Sequence, residues 1–297
     1  MSLTRVGTQR DILGECPLWD EQELALFWVD IRRPALRRLD PATGEVETRP
    51  MPGLVGAIAL AGPGRKLVAL AGEVALYDWE ADRLETIAEL PARIPGHRFN
   101  DGRCDRQGRF WVGTMHNVSR APEGVLYRLD PDGRLIAVLD GICIPNSLAW
   151  SPDGRRMYFA DSLRNAISRH DFDPATGGMG EAQPFVTTVP PGFPDGSTVD
   201  AEGCLWNAEF NAGRVVRYTP DGGVDRVIPV PTPRPTSCCF GGPHLRTLFI
   251  TSTSQALSEA DLESDPFAGA LFALDVGVSG IPEPSWAGLA ASVEDAA

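Results

Sequence analysis

The chain has 297 residues, 43% of them hydrophobic and 23% charged, which is enough apolar surface for a large core and rules out a disordered polymer. Its 40 acidic residues against 27 basic ones give a formal net charge of -13, so nucleic acid and anionic membrane surfaces are poor partners. The 31 glycines and 26 prolines suit a fold with many tight turns.

At the N-terminus, MSLTRVGTQRDILGE has no apolar run after its basic residue, so no secretory signal is expected. Nowhere does the chain approach the ~18 consecutive apolar residues of a membrane span. The expectation is a cytoplasmic protein. Its cysteines, Cys16, Cys104, Cys143, Cys204, Cys238 and Cys239, form no CxxC pair and are expected to be reduced.

From there one unit recurs six times: a polar turn, a strand of β-branched and aromatic residues, and a further strand closed by another turn. In chain order the units begin LWDEQELALFWVDI, ALAGPGRKLVALAG, RCDRQGRFWVGTM, AWSPDGRRMYFADS, TVDAEGCLWNAEF and CCFGGPHLRTLFITS. They lead to ALRRLDPATG, VALYDWEAD, GVLYRLDPDG, ISRHDFDPATG, RVVRYTPDG and GALFALDVG. Equivalent turn positions are Asp20, Ala61, Asp105, Ser151, Asp200 and Phe240. The interval is roughly 40 to 50 residues, the period of a propeller blade.

No long 3.6-residue periodicity competes, so almost no helix is expected. The prediction is an all-β protein, a six-bladed β-propeller forming a single domain over residues 1–297. The segment Leu3 to Thr8 is expected to complete the last blade and close the ring, which removes exposed edges. From about Ser279 the pattern is lost, and the tail is either an ordered strand or a frayed end. Trp19, Trp28, Trp111, Trp150 and Trp206 are expected to pack between blades, and His170 and His244 to be structural residues in turns.

Five residues before each turn position the repeats carry Glu15, Gly56, Asn100, Asn146, Asp195 and Pro235. Equivalent loop positions of a propeller face the same end of the ring, so Glu15, Asn100, Asn146 and Asp195 should converge on the axis. Two carboxylates and two amide oxygens make a hard, oxygen-only site that suits one divalent metal ion. Without a cation the two carboxylates would repel, and one pKa would rise. The segments GxSxG, HExxH, GxxxxGK[ST] and GxGxxG are absent, against a serine hydrolase elbow, a zincin, a P-loop enzyme and a dinucleotide binder. DFDPATGG, from Asp171, lacks the ligands of a calcium loop and reads as a turn.

Through GECPLW, RFNDGRCDRQGRFWVGTM, PNSLAWSPDG and FPDGSTVDAEGCLW the sequence resembles the SMP-30/gluconolactonase family, which includes regucalcin, over nearly its whole length. The resemblance implies a six-bladed propeller with one divalent ion (Ca, Zn, Mg, Mn or Fe) held by Glu15, Asn146 and Asp195. It implies that Asn100 sits beside the metal, and that Arg98 binds hydroxyl or ring oxygens of a small-molecule sugar lactone. In several members acidic residues after GTM touch substrate; here the stretch reads His116, Asn117, Val118, Ser119, Arg120.

The expected activity is hydrolysis of an aldonolactone to the aldonic acid. The metal would act as a Lewis acid, with Asp195 as general base and Glu15 as the alternative base. A non-catalytic calcium-binding regulatory propeller and a phosphotriesterase-type hydrolase are the alternatives. No obligate protein partner is evident, since nothing in the pattern reads as a coiled coil or a large apolar segment.

Overall fold

Each repeat folds as a small antiparallel sheet. Its apolar runs are strand-length, and the Gly, Asp and Pro positions between them reverse the chain. The computed structural model describes residues 3–91 and 94–288, and in them six such sheets stand around one axis as a six-bladed β-propeller. The innermost strands, in chain order, are Gly14–Asp20, Val55–Leu60, His97–Cys104, Pro145–Trp150, Phe193–Val199 and Pro235–Gly241. Those of neighbouring blades pack on one another around the axis.

Burial follows that radial order. Gly14–Asp20 and Pro235–Gly241 are buried along their whole length, whereas Val224–Pro229, at the outer edge of blade five, alternates exposed and half-buried residues. The four tryptophans Trp28, Trp111, Trp150 and Trp206 are fully buried between blades, with Trp111 tilted against Trp150 at 5.9 Å and Trp206 edge-on to Phe240 at 5.8 Å. Trp19 is buried too, as expected.

Three of these indoles are tied down by the same device. In blade five Asp200 accepts Trp206 Nε1 at 2.8 Å, Arg217 Nε at 2.8 Å and the turn amides of Glu202 and Cys204. In blade three Asp105 accepts Trp111 Nε1 at 3.1 Å, Arg109 Nε at 2.8 Å and the turn amides of Gln107 and Arg109. In blade one Asp11 takes the part, with Trp28 Nε1 at 2.7 Å and Arg37 Nε at 2.6 Å. Asp20, at the turn of blade one, pairs instead across to Lys66 of blade two at 3.0 Å.

The ring closes as the sequence suggests. Thr4–Val6 pairs antiparallel with Leu271–Asp275 and becomes the outermost strand of blade six, so the N-terminal strand and the last repeat share one sheet. The tail is ordered as far as it is described, to residue 288, and residues 289–297 lie outside the described residues. It runs across the end of the ring where the inner strands finish: Ala201 N donates to Ser279 O, Trp286 N to Leu60 O, and Ala287 N to Gly108 O. There Glu283 reaches into the axis and pairs with Arg103 at 2.6 Å.

Two local features add detail: the little helix present agrees with expectation, and His170 departs from it. The chain between the second and third strands of blade six forms a short helix, Glu259–Ser264, started by a capping box in which Ser258 and Asp261 satisfy each other's backbone amides. His170 is not in a turn but within the strand Ala166–Asp173, buried, with Nδ1 against Gly180 O at 2.9 Å and Nε2 against Ser168 Oγ at 2.9 Å. Asp173 makes the turn expected of DFDPATGG, accepting from Ala175 N and Thr176 Oγ1. No helix among the described residues is long and apolar enough to cross a membrane.

Candidate active site

Every innermost strand is bulged at the same place. The register slips between Glu15 and Leu18, Val55 and Ala57, Asn100 and Gly102, Asn146 and Ala149, Pro194 and Ser197, and Pro235 and Ser237. A bulge bends the strand and re-aims the side chains beside it. Here it sits at the entry end of the inner strands, opposite the tail. Cys16 and Ser147, the residues after Glu15 and Asn146, take left-handed backbone angles of φ 48 and φ 63 to make the bend. Blade five follows Asp195 with Gly196, where an added Cβ would lie 2.0 Å from Ser237 Oγ of the next blade. The four candidate positions thus sit on strands rather than on the loops expected, because the bulge belongs to the strand.

Glu15, Arg98, Asn100, Asn146 and Asp195 all line one cavity of about 610 Å³. Each is buried, at 8%, 4%, 5%, 3% and 7% exposure. The cavity has the size of a small-ligand site.

A chain of hydrogen bonds fixes the polar groups of blades three to five. Arg98 donates through Nη1 to Asn100 Oδ1 at 2.7 Å and to Phe99 O at 2.8 Å, and through Nε to Asn117 Oδ1 at 3.0 Å. Asn100 Nδ2 donates to Asn146 Oδ1 at 3.0 Å and to Pro145 O at 2.9 Å. Asn146 Nδ2 donates to Ser162 Oγ at 2.8 Å, and Ser162 Oγ to Pro194 O at 2.7 Å, beside Asp195. Both amides are therefore oriented, and Asn146 Oδ1 keeps its second lone pair.

The carboxylates are poorly supplied by comparison. Glu15 accepts from Cys16 N at 3.3 Å, and Asp195 from the amide of Gly196. Among the described residues neither makes an ion pair within 4 Å. Burial, and then the nearby charge of Asp101, push Glu15 up to about 8. Burial, and then Glu15, push Asp195 well above the usual carboxylate range. Arg98 is pushed down to about 10, first by burial and then by the charge of Arg32.

Two desolvated carboxylates whose pKa values are both raised, next to an amide oxygen with a spare lone pair, form a donor set that fits a divalent cation. No three His, Cys, Asp or Glu side chains converge among the described residues, so an ion here needs the amide oxygen as well as the two carboxylates.

All five residues singled out in the sequence meet in this cavity. Those not singled out are Asp101 and Ser162, which hold the others, and Arg32, Phe193, Phe210, Arg234 and Gln255, which line the walls. Asp101 accepts the amide of Leu148 at 3.1 Å and also that of Ser147, pinning the bulge that carries Asn146. Of the stretch after GTM, Asn117, Val118 and Arg120 line the cavity. Arg32, Ser162 and Gln255 each come just after the second strand of their blade, at offsets of two, one and three residues, so no common phase marks them in the sequence.

Residues 13–254 match the family profile described as SMP-30/Gluconolactonase/LRE-like region. The chain is 39% identical over 289 residues to 6-deoxy-6-sulfogluconolactonase of Pseudomonas putida, covering 97% of this chain and 99% of that one. It is 37% identical over 290 residues to L-arabinolactonase of Azospirillum brasilense, covering 96% and 95%. The crystal structure of a calcium-binding protein, regucalcin, from Agrobacterium tumefaciens superposes with a TM-score of 0.92 at 33% identity, covering 95% of this chain and 96% of that one.

Proposed function

The chain belongs to the SMP-30/gluconolactonase/LRE-like family, and from that premise we propose that it hydrolyses a sugar lactone, an aldonolactone such as a glucono-, xylono-, arabinono- or galactonolactone, to the aldonic acid. The observation that carries the reading is the cavity floor, where two unpaired carboxylates, two oriented amides and one guanidinium converge. The names of the relatives, lactonases of a sulfonated gluconolactone and of L-arabinolactone, support it.

Arg98 spends Nε and Nη1 on Asn117, Phe99 and Asn100, which leaves its Nη2 hydrogens for the ring or hydroxyl oxygens of the sugar. Asn100, locked between Arg98 and Asn146, fixes where that guanidinium points. Asp195 is the general base. With only a backbone amide as donor, its carboxylate has lone pairs free to take a proton from the attacking water. The same carboxyl then returns the proton to the ring oxygen as the acyl carbon–oxygen bond breaks, so the ester becomes one acid and one hydroxyl. Glu15 is the alternative base. A divalent ion held by Glu15, Asn146 and Asp195 would supply Lewis acidity toward the lactone carbonyl, where negative charge develops.

We read residues 1–297 as one domain working in the cytoplasm, on the grounds that the N-terminal strand completes the sheet of the last repeat and that all six cysteines are free. The test is ring opening of a panel of aldono-1,4- and 1,5-lactones, followed by a pH indicator. The protein is stripped of metal and reloaded with Ca²⁺, Mg²⁺, Mn²⁺, Zn²⁺ or Fe²⁺. Opening of at least one sugar lactone, restored by an ion, is expected. No opening with any ion, in protein that binds the ion by calorimetry, overturns the enzyme reading and leaves an ion-binding propeller.

A further inference from the structure

A neutral sugar lactone offers hydroxyl and ring oxygens, for which one guanidinium on the cavity floor suffices. This cavity has four: Arg32, Arg98, Arg120 and Arg234. The concentration is notable in a chain whose net charge is -13. Arg98 belongs to the floor. The other three lie on the walls, and among the described residues none of them makes an ion pair within 4 Å.

Two of the three are held in place. Arg32 follows the second strand of blade one, and Arg234 precedes the inner strand of blade six. Arg32 Nε donates to Gln255 Oε1 at 2.8 Å, and Arg234 Nη1 donates to Gln255 O at 2.8 Å. Gln255 is itself anchored, its amide donating to Thr253 Oγ1 at 2.9 Å. One residue thus gathers two guanidinium groups on the same wall through a side-chain and a backbone oxygen. Those acceptors satisfy hydrogen bonds but neutralise no charge. Arg32 also stands near enough to Arg98 for its charge to oppose that of Arg98. Like charges gathered in a half-buried wall are unfavourable until an anion joins them.

We propose that Arg32 and Arg234, clamped by Gln255, form an anion subsite, and that the preferred lactone carries an oxyanion, a sulfonate or a phosphate, on the carbon farthest from its carbonyl. Arg120, on the loop after the second strand of blade three, also lines the cavity and adds to its positive charge. The inference rests on the lactonase reading of the floor. It adds what the walls select: planar guanidinium groups offer paired N–H donors that match tetrahedral oxyanions. An acidic overall surface with a positive cavity also directs a small anion toward that cavity alone.

The experiment measures kcat/KM of the ion-loaded protein for three substrates that differ only at carbon six: glucono-1,5-lactone, 6-phosphoglucono-1,5-lactone and 6-deoxy-6-sulfoglucono-1,5-lactone. The same set is run for Arg32→Gln and Arg234→Gln. The expected result is a preference of about tenfold or more for at least one anionic lactone, the size of a charged hydrogen-bond pair. That preference should collapse in either variant and shrink with added salt. Which of the two anionic lactones leads identifies the oxyanion. Equal or better use of the neutral lactone by the wild type overturns the proposal. So does a preference that both variants retain.

If no lactone is opened, the lactonase reading fails by itself. Calorimetric binding of 6-phosphogluconate and 6-deoxy-6-sulfogluconate against gluconate then decides the subsite. Tighter binding of an anionic acid by the wild type, lost in Arg32→Gln, supports it. Equal binding of all three acids overturns it.

Discussion

Arg98 makes three directed hydrogen bonds inside the cavity and still has donors to offer, a geometry that depends on the planar fork of the guanidinium. Lysine carries its three donors on a single terminal nitrogen and cannot reproduce the separate Nε and Nη1 positions that reach Asn117 on one side and Phe99 and Asn100 on the other. Arg98→Lys is therefore expected to raise KM for the lactone by about tenfold or more, with a smaller change in kcat, read from initial-rate kinetics. His170 carries a different kind of prediction. Burial lowers its pKa from 6.5, against the opposing hydrogen bond to Gly180 O. The folded protein keeps it neutral while the unfolded chain takes up a proton as pH falls below about 6.5. Its contribution to stability is thus complete above that pH and is lost as pH falls below it. Thermal melts of His170→Gln between pH 5 and pH 7 should show a shallower fall toward acid than the wild type. Equal slopes would remove His170 as a cause. At this scale the floor was legible because Glu15, Asn100, Asn146 and Asp195 share one phase of the repeat. Asp101 was not, since it lies one residue outside that phase and acts through the backbone of Ser147 and Leu148.

The element that organises the site is the bulged inner strand. Six strands carry the bulge and four use it to present a polar group, while blades two and six place Gly56 and Pro235 at that phase. Gly56 keeps blade two thin: an added Cβ would lie 2.2 Å from Phe99 O of blade three. The repeat period was readable from turn residues and aromatic runs, but bulges leave no mark in hydropathy, so the sequence pointed to loops where the side chains come from strands. The short helix Glu259–Ser264 escaped for another reason: six residues are too few to establish a period, and only the Ser258–Asp261 capping pair announces it. The aspartate at the end of the inner strand is the second organising element. Asp200 is fully buried and binds Trp206, Arg217 and two turn amides. Asp200→Ala leaves an indole N–H and two turn amides without their acceptor, while Arg217 keeps Glu202 and Asp225, and chemical denaturation should show a loss of about 2 kcal/mol or more. A loss below about 1 kcal/mol would mean that water replaces the carboxylate there.

The whole molecule is a ring held shut from two sides. At its edge Thr4–Val6 closes blade six, and at the end opposite the cavity the tail from Ser279 covers the axis and brings Glu283 to Arg103. Closure was legible because six repeats leave one strand position to fill. The path of the tail was not, since it follows no period and is fixed by contacts with turns of four different blades. Truncation after Val278 removes the carboxylate paired with the half-buried Arg103 and uncovers the axis, so a loss on the order of 2 kcal/mol is expected in a thermal or urea melt. Lactone binding at the far end should survive at temperatures where the shortened protein remains folded.

The claim that joins these scales is that the convergent floor is catalytic and that Asp195 moves the proton. It is tested most directly by comparing kcat/KM of the wild type and of Asp195→Ala on the best lactone of the panel, both ion-loaded and both shown to be folded by circular dichroism. The expected loss is about 10²- to 10⁴-fold, the usual share of a general base, or more if ion binding is lost with it. A variant that keeps activity within a factor of about three would contradict the account.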